Sequence, residues 1–504
     1  MSSTYSGIGT VEQAAHQICT GLTLNASNNG RIVVTPLWAL EKDATCKAEL
    51  VAWFSSLGHD TCVFGNLKDI VDRSWYNDLG FGRGSVELPP SELYAKGLQN
   101  SNVCTHSNSC AAHPGRRCPL PHTDVHVAGT TCVDHSNYGT CSGDEGKNVK
   151  FFLIWAALMR KTQPYIILHE NVAGFGITAL SEVLSTLYVV CRSVSCASVM
   201  GYPIRRQRQM CILVLKSWIY GQLRDAGMHA LCNPDDVTRL VDLQATLDHL
   251  SRRPCHLAWS DFLVGDEADA AAEVAEARAR PGVVERWARI ADGLTEGPDS
   301  RGNLTRLFPE DAGSPVLEAL LPRERERIEL VVRADDQGVP CFDVLDVSQN
   351  PDQRARMIRH GQNTMMTVIA GSGYLVRLDT MRANPLQTRI VTSADILAMS
   401  GFPITTDQAG AAGCACMFSE SRAAPRERTA RSMKKQVGNA MHFTHVGLVF
   451  LSALIKFPHL GVRTADAKKR DTPSAAPASE PSSGHSVGTT SSGLLRAVRA
   501  RRSL

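Results

Sequence analysis

The chain has 504 residues, of which 53 are Lys or Arg, 50 are Asp or Glu and 16 are His, giving a formal net charge of +3. That length allows about two to four domains, and 43% hydrophobic with 20% charged residues suits a protein with a large apolar core. The composition excludes a wholly disordered chain and a histone-like basic protein. Any positive charge that binds nucleic acid must therefore be local.

Membrane insertion and secretion are not expected from the sequence. The longest apolar candidate, Val446 to Leu454, is about half of the roughly 20 residues that span a bilayer. The N-terminal MSSTYSGIGT has neither a basic nor an apolar signal segment. The 16 cysteines are therefore expected to be mostly free thiols in a reducing compartment.

The first 65 residues alternate strand-like and helix-like segments, which predicts parallel strands joined by helical crossovers. The predicted elements are a strand at Thr4-Tyr5, a helix over Val11–Gly21, a strand over Arg31–Pro36, a helix over Ala44–Leu57 and a strand over Thr61–Phe64. Residues 74–123 then interrupt the pattern with a long insertion rich in Gly, Ser, Asn, Pro and Cys.

The α/β pattern resumes after the insertion. Its predicted elements are a strand over Asp124–Ala128, a helix over Val149–Arg160, a strand over Tyr165–Leu168, a helix over Ile177–Leu187 and strands over Leu187–Cys191 and Cys211–Leu215. From about Ser217 the composition changes, and residues 264–340 predict an exposed helix and 364–377 a β-hairpin, in a smaller domain. Residues 393–401 and 445–456 predict helices, and the tail after 461 is expected to be disordered.

A glycine turn, SGIG at Ser6–Gly9, lies between the first predicted strand and helix. Glycines let a ligand approach the backbone, and a helix N-terminus favours negative groups. Glu41, after the second strand, could accept hydrogen bonds from ribose hydroxyls. A plain tight turn explains the glycines equally well.

Two further motifs follow neighbouring predicted strands. GTTCVDHSNYG places Cys132 after one strand, and HENVAGFG places Glu170 after the next, so that both face the same edge of the sheet. A thiol beside a carboxyl suits an enzyme that protonates a heterocycle while sulfur attacks it, whereas a protease would use His. Taken singly, each side chain is also consistent with a structural role.

Two motifs with weaker signals complete the set. In GYPIRRQRQ, Arg206 and Arg208 share one face if the segment is extended. QVGNAM, at Gln436–Met441, follows a basic stretch and opens a helix. A solvated basic run and an ordinary Gly-Asn turn are the alternatives.

Together, in this order, the motifs resemble those of the C5-cytosine DNA methyltransferases. The matching segments are YSGIGTVEQAA (Tyr5–Ala15), Glu41 with Asp43, FGNLKDI (Phe64–Ile70), GTTC (Gly129–Cys132), HENV (His169–Val172), Pro203–Arg208, TRIVTSADILAMSGFP (Thr388–Pro403) and QVGNAM. The chain departs from the family pattern at six positions, where Thr131 replaces a Pro, Val133 a Gln, His135 a Phe, Ile204 a Gln, Asn66 an Asp and Asp395 a Glu.

The resemblance implies an α/β fold, a Rossmann-like class I methyltransferase mixed sheet with helices on both faces, plus a smaller target-recognition domain. It implies a catalytic core over 1–216, with an inserted Cys/His-rich loop at about 74–123, a target-recognition domain over 217–388, the rest of the core over 389–462 and a disordered basic tail over 463–504.

The implied activity is transfer of a methyl group from S-adenosylmethionine to C5 of a flipped-out cytosine in double-stranded DNA. The implied catalytic residues are Cys132, Glu170, Arg206 and Arg208. The implied cofactor-binding residues are Tyr5, Ser6, Gly7, Ile8, Gly9, Glu41, Asn66, Leu67, Asn439 and Ala440. We expect a monomer with no membrane partner, and the basic tail and the insertions predict a nuclear location.

Two other functions stay open. One is a tRNA cytosine methyltransferase of the same fold, whose members carry Cys-Phe-Thr where this chain has Cys341-Phe342-Asp343. The other is a catalytically silent DNA-binding relative, suggested by Thr131 and His135.

The insertion also contains Cys104, His106, Cys110, His113, Cys118 and His122. Four of these, Cys104, Cys110, Cys118 and His122, could form a tetrahedral zinc site. The C-x5-C-x7-C spacing fits no strong zinc pattern, so the prediction is a thiol- and His-rich loop without metal.

Overall fold

The computed structural model describes residues 1–25, 32–251, 257–276, 320–404 and 440–457. Within these ranges, gaps fall at 82–87, 98–102, 105, 108, 137–139, 144–145, 147, 266–269, 271, 274, 321, 334–341, 349–355, 360–361, 369–372 and 379–386. The predicted tail over 463–504, most of the predicted helix in 264–340, and Asn439 lie outside the described residues.

A seven-stranded mixed sheet forms the centre of the fold. In chain order the strands are β1 (Ser2–Thr4), β2 (Trp38–Leu40), β3 (Cys62–Phe64), a separate two-stranded ribbon of β4 (His106–Ser107) and β5 (Cys118–Pro119), then β6 (Val125–Gly129), β7 (Ile166–Val172), β8 (Tyr188–Cys196) and β9 (Gln207–Leu215). The sheet order is β3-β2-β1-β6-β7-β9-β8, and in this sheet β9 alone runs opposite to the other six strands. The mixed sheet predicted from the sequence is therefore confirmed.

The central strands are apolar on both faces because helices cover both faces of the sheet. Along β7, Ile166 and Leu168 pack into one buried core, and Ile167 between them packs into the other. Leu213 in β9 joins the core of Ile167. This alternation fixes the register, because a slip by one residue would exchange the two faces.

The helices lie between and around these strands. They are α1 (Thr10–Asn25), α2 (Ala44–Ser56), α3 (Arg73–Tyr76), α4 (Pro90–Gly97), α5 (Val149–Thr162), α6 (Ile177–Leu184), α7 (Lys216–Asp225), α8 (Pro234–Val241), α9 (Leu243–Ser251), α10 (Pro322–Arg333), α11 (Ser393–Met399) and α12 (Phe443–Lys456). Helix α12 packs against α1, where Ile18 and Ala14 approach Gly447 closely. Helix α12 also contacts β7 and β9, so it covers one face of the main sheet beside α1. Among the described residues, no helix is long and apolar enough to cross a membrane.

Four antiparallel strands form a second, smaller sheet. They are β10 (Phe342–Asp346), β11 (Met357–Arg359), β12 (Tyr374–Leu378) and β13 (Gln387–Ile390), in the order β11-β10-β12-β13. The predicted hairpin over 364–377 is wrong, because Met365 forms a bridge with Ile204 of the main unit while β12 pairs with β10 and β13. Apolar alternation indicates a strand but not its partner.

Two predicted strands near the N-terminus shift by a few residues. The strand expected over Arg31–Pro36 begins after the proline, at Trp38, since Pro has no N–H to donate to a ladder. The first strand ends at Thr4, because Tyr5 has a left-handed φ of 57°.

The buried carboxylate of Asp395 joins three parts of the fold. It accepts the N–H groups of Val264 and Gly265, each at 2.8 Å, and pairs with Arg389. It also accepts the N–H of Thr392 at the start of α11. Residues 264–265, β13 and α11 are therefore held by one carboxylate.

We expect Asp395→Ala to lower the free energy of unfolding by about 3 kcal/mol or more, because it leaves a largely buried guanidinium without its carboxylate. Urea unfolding followed by circular dichroism measures this change. Asp225→Ala, at an exposed position near the end of α7, is the control and is expected to change stability by less than about 0.5 kcal/mol. Equal losses in the two variants would contradict this role of Asp395.

Candidate active site

The candidate residues gather where the parallel strands end. Because β1, β2, β3, β6 and β7 run in one direction, their carboxyl ends share one edge of the sheet. The SGIG turn follows β1, Glu41 follows β2 and Asn66 follows β3. Cys132 follows β6 by three residues, and Glu170 lies in β7 directly opposite Gly129.

Glu170, Arg208 and Cys132 form the charged centre of this edge. The Arg208 Nε atom lies 2.9 Å from Glu170 Oε1, and both side chains are mostly buried. The antiparallel pairing of β7 with β9 sets Arg208 opposite Val172, two residues beyond Glu170. The half-buried Cys132 thiol is close enough to interact with both charges.

The thiol of Cys132 is held largely in its protonated form in the free protein. Burial raises the pKa of Cys132, and the negative charge of Glu170 raises it further. Arg208 and Arg206 act in the opposite direction. The ease of thiolate formation is therefore set by burial together with one carboxylate and two guanidinium groups.

Arg206 has a different position from Arg208. Its buried guanidinium donates to the carbonyl of Ala440 at 2.6 Å and, more weakly, to that of Val368 at 3.5 Å. Burial lowers the pKa of Arg206 to about 9. These contacts connect the C-terminal segment and the segment before the second sheet to the site, so Arg206 positions the site as well as adding charge.

The base of the loop that carries Cys132, here called the Cys132 loop (130–148), is fixed by two buried residues of β7. The Thr130 hydroxyl lies 2.7 Å from His169 Nε2, and the Asn171 side-chain amide donates to Thr130 O at 3.1 Å and to Thr130 Oγ1 at 2.9 Å. Burial lowers the pKa of His169 to about 3, so the ring is neutral. These hydrogen bonds fix the residue two positions before Cys132.

Asp134 holds the far side of the same loop. Its carboxylate accepts the Asn148 N–H at 2.7 Å, the Asn148 side-chain amide at 2.9 Å and the Thr140 hydroxyl at 2.9 Å. Burial alone would raise the pKa of Asp134, but these hydrogen bonds outweigh it and the pKa lies below its ordinary value. The loop that lacks the expected proline is thus ordered by a carboxylate.

Thr131, which stands in place of that proline, contacts the other half of the site. The Tyr5 hydroxyl, whose pKa is raised by burial, donates to the Phe151 carbonyl at 3.4 Å, and Thr131 lies close enough to act against that rise. Tyr5 belongs to the turn after β1, so the Cys132 loop and the glycine turn are neighbours.

The glycine turn and Glu41 form a second group of candidate residues. The Gly7 N–H donates to Glu41 Oε2 at 2.9 Å, and the Asp43 N–H donates to Glu41 Oε1 at 2.8 Å. Gly7 has a φ of 56°, and no atom lies within 4 Å of where a Cβ would stand. A ligand can therefore approach the backbone here, and each Glu41 oxygen keeps a lone pair for a ribose hydroxyl.

A buried carboxyl beneath the glycine turn also indicates that a ligand binds there. Ser3 donates to Glu12 Oε1, but Glu12 Oε2 and Thr10 Oγ1 are buried without a hydrogen-bond partner among the described residues. Burial raises the pKa of Glu12 to about 7. Unsatisfied buried acceptors beside an open glycine turn fit a ligand that brings donors.

The other predicted cofactor-binding residues do not all lie at the glycine turn. Asn66 caps a short 3-10 helix, Leu67–Ile70, where its side-chain oxygen accepts the Lys68 N–H at 3.2 Å. Ser6, Ile8 and Leu67 are buried. Ala440 lies beside Arg206 rather than in a described contact with the glycine turn.

The insertion contains a cluster that differs from the predicted zinc set. Cys110 and Cys118 come together, but their companions are Cys62 and His113. Cys104 lies outside the cluster, and His122 instead contacts the Thr162 carbonyl at 2.9 Å.

Three residues near the site are not among the predicted site residues, although they lie in the quoted motifs. Asp134 lies in GTTCVDHSNYG as an ordinary loop acid, and Glu12 lies in the helical part of YSGIGTVEQAA. Met441 approaches Gly129 so closely that a Cβ there would come within 2.6 Å of its methyl carbon. A buried acid in an apolar helix face is the one pattern that could have singled out Glu12.

Residues 100–250 match the family model described as C-5 cytosine-specific DNA methylase. The match confirms the resemblance to the C5-cytosine methyltransferases. The matched segment includes Cys132, Glu170, Arg206 and Arg208, the four residues expected to act in catalysis. No match was found among curated proteins.

Solved methyltransferase structures are similar over most of the chain. The S. pombe Dnmt2 methyltransferase is 12% identical, with 91% of this chain and 98% of that one covered and a TM-score of 0.41. The Entamoeba histolytica methyltransferase EhMeth is 9% identical, with 90% and 98% covered and a TM-score of 0.41. An E. coli prophage-encoded putative DNA modification methyltransferase is 12% identical, with 91% and 98% covered and a TM-score of 0.40.

Glu170→Gln is expected to speed the alkylation of Cys132 by iodoacetamide at pH 8, by roughly three- to tenfold. Removing the negative charge lowers the thiol pKa, so more thiolate is present at that pH, and the thiolate is the reacting form. Peptide mapping by mass spectrometry measures the rate at each cysteine. The exposed Cys141 is the internal control, and an unchanged Cys132 rate would show that Glu170 does not act on the thiol.

Proposed function

We propose that this chain is a DNA (cytosine-5-)-methyltransferase that uses S-adenosylmethionine and forms a covalent bond between Cys132 and C6 of cytosine. The observation that carries the proposal is the Glu170–Arg208 ion pair, at 2.9 Å, beside the Cys132 thiol at the shared ends of β6 and β7. Pyrimidine activation needs a nucleophile for C6, a hydrogen-bond or proton donor for N3 and a cation for O2. The thiol, the carboxyl and the guanidinium can supply these in turn.

The target cytosine must leave the duplex, because C5 and C6 are inaccessible within the base stack. The thiolate of Cys132 adds to C6 and forms the carbon–sulfur bond. Electron density moves toward N3, where Glu170 provides a hydrogen bond or proton. Arg208 contacts O2 of the base, so its ion pair with Glu170 must loosen as the base enters. Arg206 supports this arrangement from its buried position.

S-adenosylmethionine, when bound, supplies the methyl group that C5 receives. Tyr5, the Ser6–Gly9 turn, Glu41, Asn66 and Leu67 are the residues that would hold it. After methylation, the C5 proton passes to a base or water, the carbon–sulfur bond breaks and Cys132 leaves as the thiolate. The thiolate is then ready for another turnover or for reprotonation.

Double-stranded DNA is the proposed partner, and the second sheet is its proposed reader. The Arg205 N–H donates to the Met365 carbonyl at 2.8 Å, and the Met365 N–H donates to the Pro203 carbonyl at 2.5 Å. The segment before β12 is therefore attached to the residues that lead into β9, the strand that carries Arg208. A module in this position is suited to reading base edges in the major groove next to the flipped base.

Transfer of a radiolabelled methyl group from S-adenosylmethionine to duplex DNA and to tRNA tests the proposal. We expect label at C5 of cytosine in the duplex, and loss of that label to background in Cys132→Ala because the covalent step is gone. Glu170→Gln is expected to slow transfer by about 10²–10⁴-fold. Cys141→Ser, which alters an exposed cysteine of the same loop, is the matched control and should keep the rate.

Three outcomes would overturn the proposal in different ways. Label in tRNA but not in duplex DNA would assign the alternative substrate. Duplex binding without any transfer would assign a silent relative. Undiminished transfer by Cys132→Ala would remove the covalent mechanism while leaving the methyltransferase activity. The nuclear location remains a prediction based on the basic tail and the insertions.

A further inference from the structure

Three cysteines and one histidine meet at the outer edge of the main sheet, away from the residues proposed for catalysis. The ligand atoms of Cys62, Cys110, His113 and Cys118 all lie within 4.8 Å of one another. Cys62 begins the edge strand β3, whereas the other three belong to the insertion. Two of the cysteines are buried, and Cys62 and His113 are half-buried.

We propose that Cys62, Cys110, His113 and Cys118 bind one structural zinc ion. Thiolate and imidazole are the ligands that zinc prefers, and three cysteines with one histidine form a common structural set. Because the four ligands leave no open coordination position, the ion stabilises the fold and does not activate water.

The distances within the cluster fit a tetrahedral ion. The Nδ1 atom of His113 lies 3.5 Å from Cys62 Sγ, 3.3 Å from Cys110 Sγ and 3.6 Å from Cys118 Sγ. Zinc bonds of about 2.3 Å to sulfur and about 2.0–2.1 Å to nitrogen, at tetrahedral angles, place each such pair about 3.6 Å apart. One imidazole nitrogen therefore faces three sulfur atoms at the spacing that a zinc centre requires.

The second nitrogen of the same ring is oriented by a carboxylate. His113 Nε2 lies 2.5 Å from Asp60 Oδ1. Histidines that ligate metals usually donate their other N–H to a carboxylate, which fixes the tautomer and the ring orientation. The Asp60 contact leaves Nδ1 as the ligand atom, and Nδ1 is the nitrogen that faces the sulfurs.

The backbone around the cluster connects the insertion to the edge of the sheet. The Ala111 N–H donates to the Val63 carbonyl at 2.7 Å, and the Cys104 N–H donates to the Ile70 carbonyl at 2.8 Å. The insertion thus hydrogen-bonds to the outer side of β3 through Ala111 and partly covers the edge of the sheet. A zinc ion with one ligand from β3 and three from the insertion would fix the insertion to β3, a few residues before Asn66.

Metal analysis of the purified full-length chain by inductively coupled plasma mass spectrometry tests the proposal. We expect one zinc per chain, and loss of that zinc in Cys62→Ser. Cys104→Ser is the matched control, because it removes a cysteine of the same insertion outside the cluster, and it should keep the metal. Cobalt in place of zinc should show the intense visible bands of a tetrahedral thiolate site. Because this spectrum is recorded on the unmodified protein, it tests for the metal site even if Cys62→Ser fails to fold.

Asp60→Asn tests whether Asp60 orients His113 for metal binding or whether the four side chains meet by chance. The Asp60 side chain is 87% exposed, so the fold should survive the change. Zinc affinity, measured by competition with a chelator, should fall about 10- to 100-fold. Zinc-supplemented protein without bound metal, or with a disulfide among the three cysteines, would overturn the proposal. Metal retained in full by Cys62→Ser would overturn it as well.

Discussion

The pairing of β7 with β6 on one side and with β9 on the other is the constraint on which the site depends. It sets Gly129 opposite Glu170 and Val172 opposite Arg208. A Cβ at Gly129 would displace the Met441 side chain, because it would lie 2.6 Å from its methyl carbon and 3.4 Å from Glu170 Oε2. A register slip of one residue in β7 would send the Glu170 carboxylate to the opposite face of the sheet.

At this edge of the sheet, a carboxylate and two guanidinium groups act in opposite directions on the Cys132 thiol. Glu170 disfavours the Cys132 thiolate, and the two arginines favour it. In the free protein, burial and Glu170 together favour the protonated thiol. A cytosine that engages both groups would change this balance as it enters, which links nucleophile activation to the presence of the base. Loop order comes from the hydrogen bonds of Asp134 and of Thr130, which together take over part of what a proline would provide.

Much of the main unit could be predicted from sequence, because its strands are short apolar runs followed by polar motifs. The approach of Cys132 to Glu170 follows from two neighbouring parallel strands. By contrast, the partner of Met365 could not be predicted, since periodicity carries no information about pairing. Cys62 lies 48 positions before Cys110, so no local spacing could reveal that they meet; a metal pattern confined to the insertion therefore selected Cys104 and His122 instead.

The proposed mechanism requires the sulfur of Cys132 to bond to C6 of an everted cytosine. The most direct measurement uses a duplex of mixed sequence in which cytosines are replaced by 5-fluorocytosine, in the presence of S-adenosylmethionine. Fluorine cannot leave C5 as the proton does, so the carbon–sulfur bond should persist. We expect a protein–DNA complex that survives denaturation, with the nucleotide mapped to Cys132 by mass spectrometry. A complex attached to another cysteine, or methylation without any trapped complex, would contradict the account.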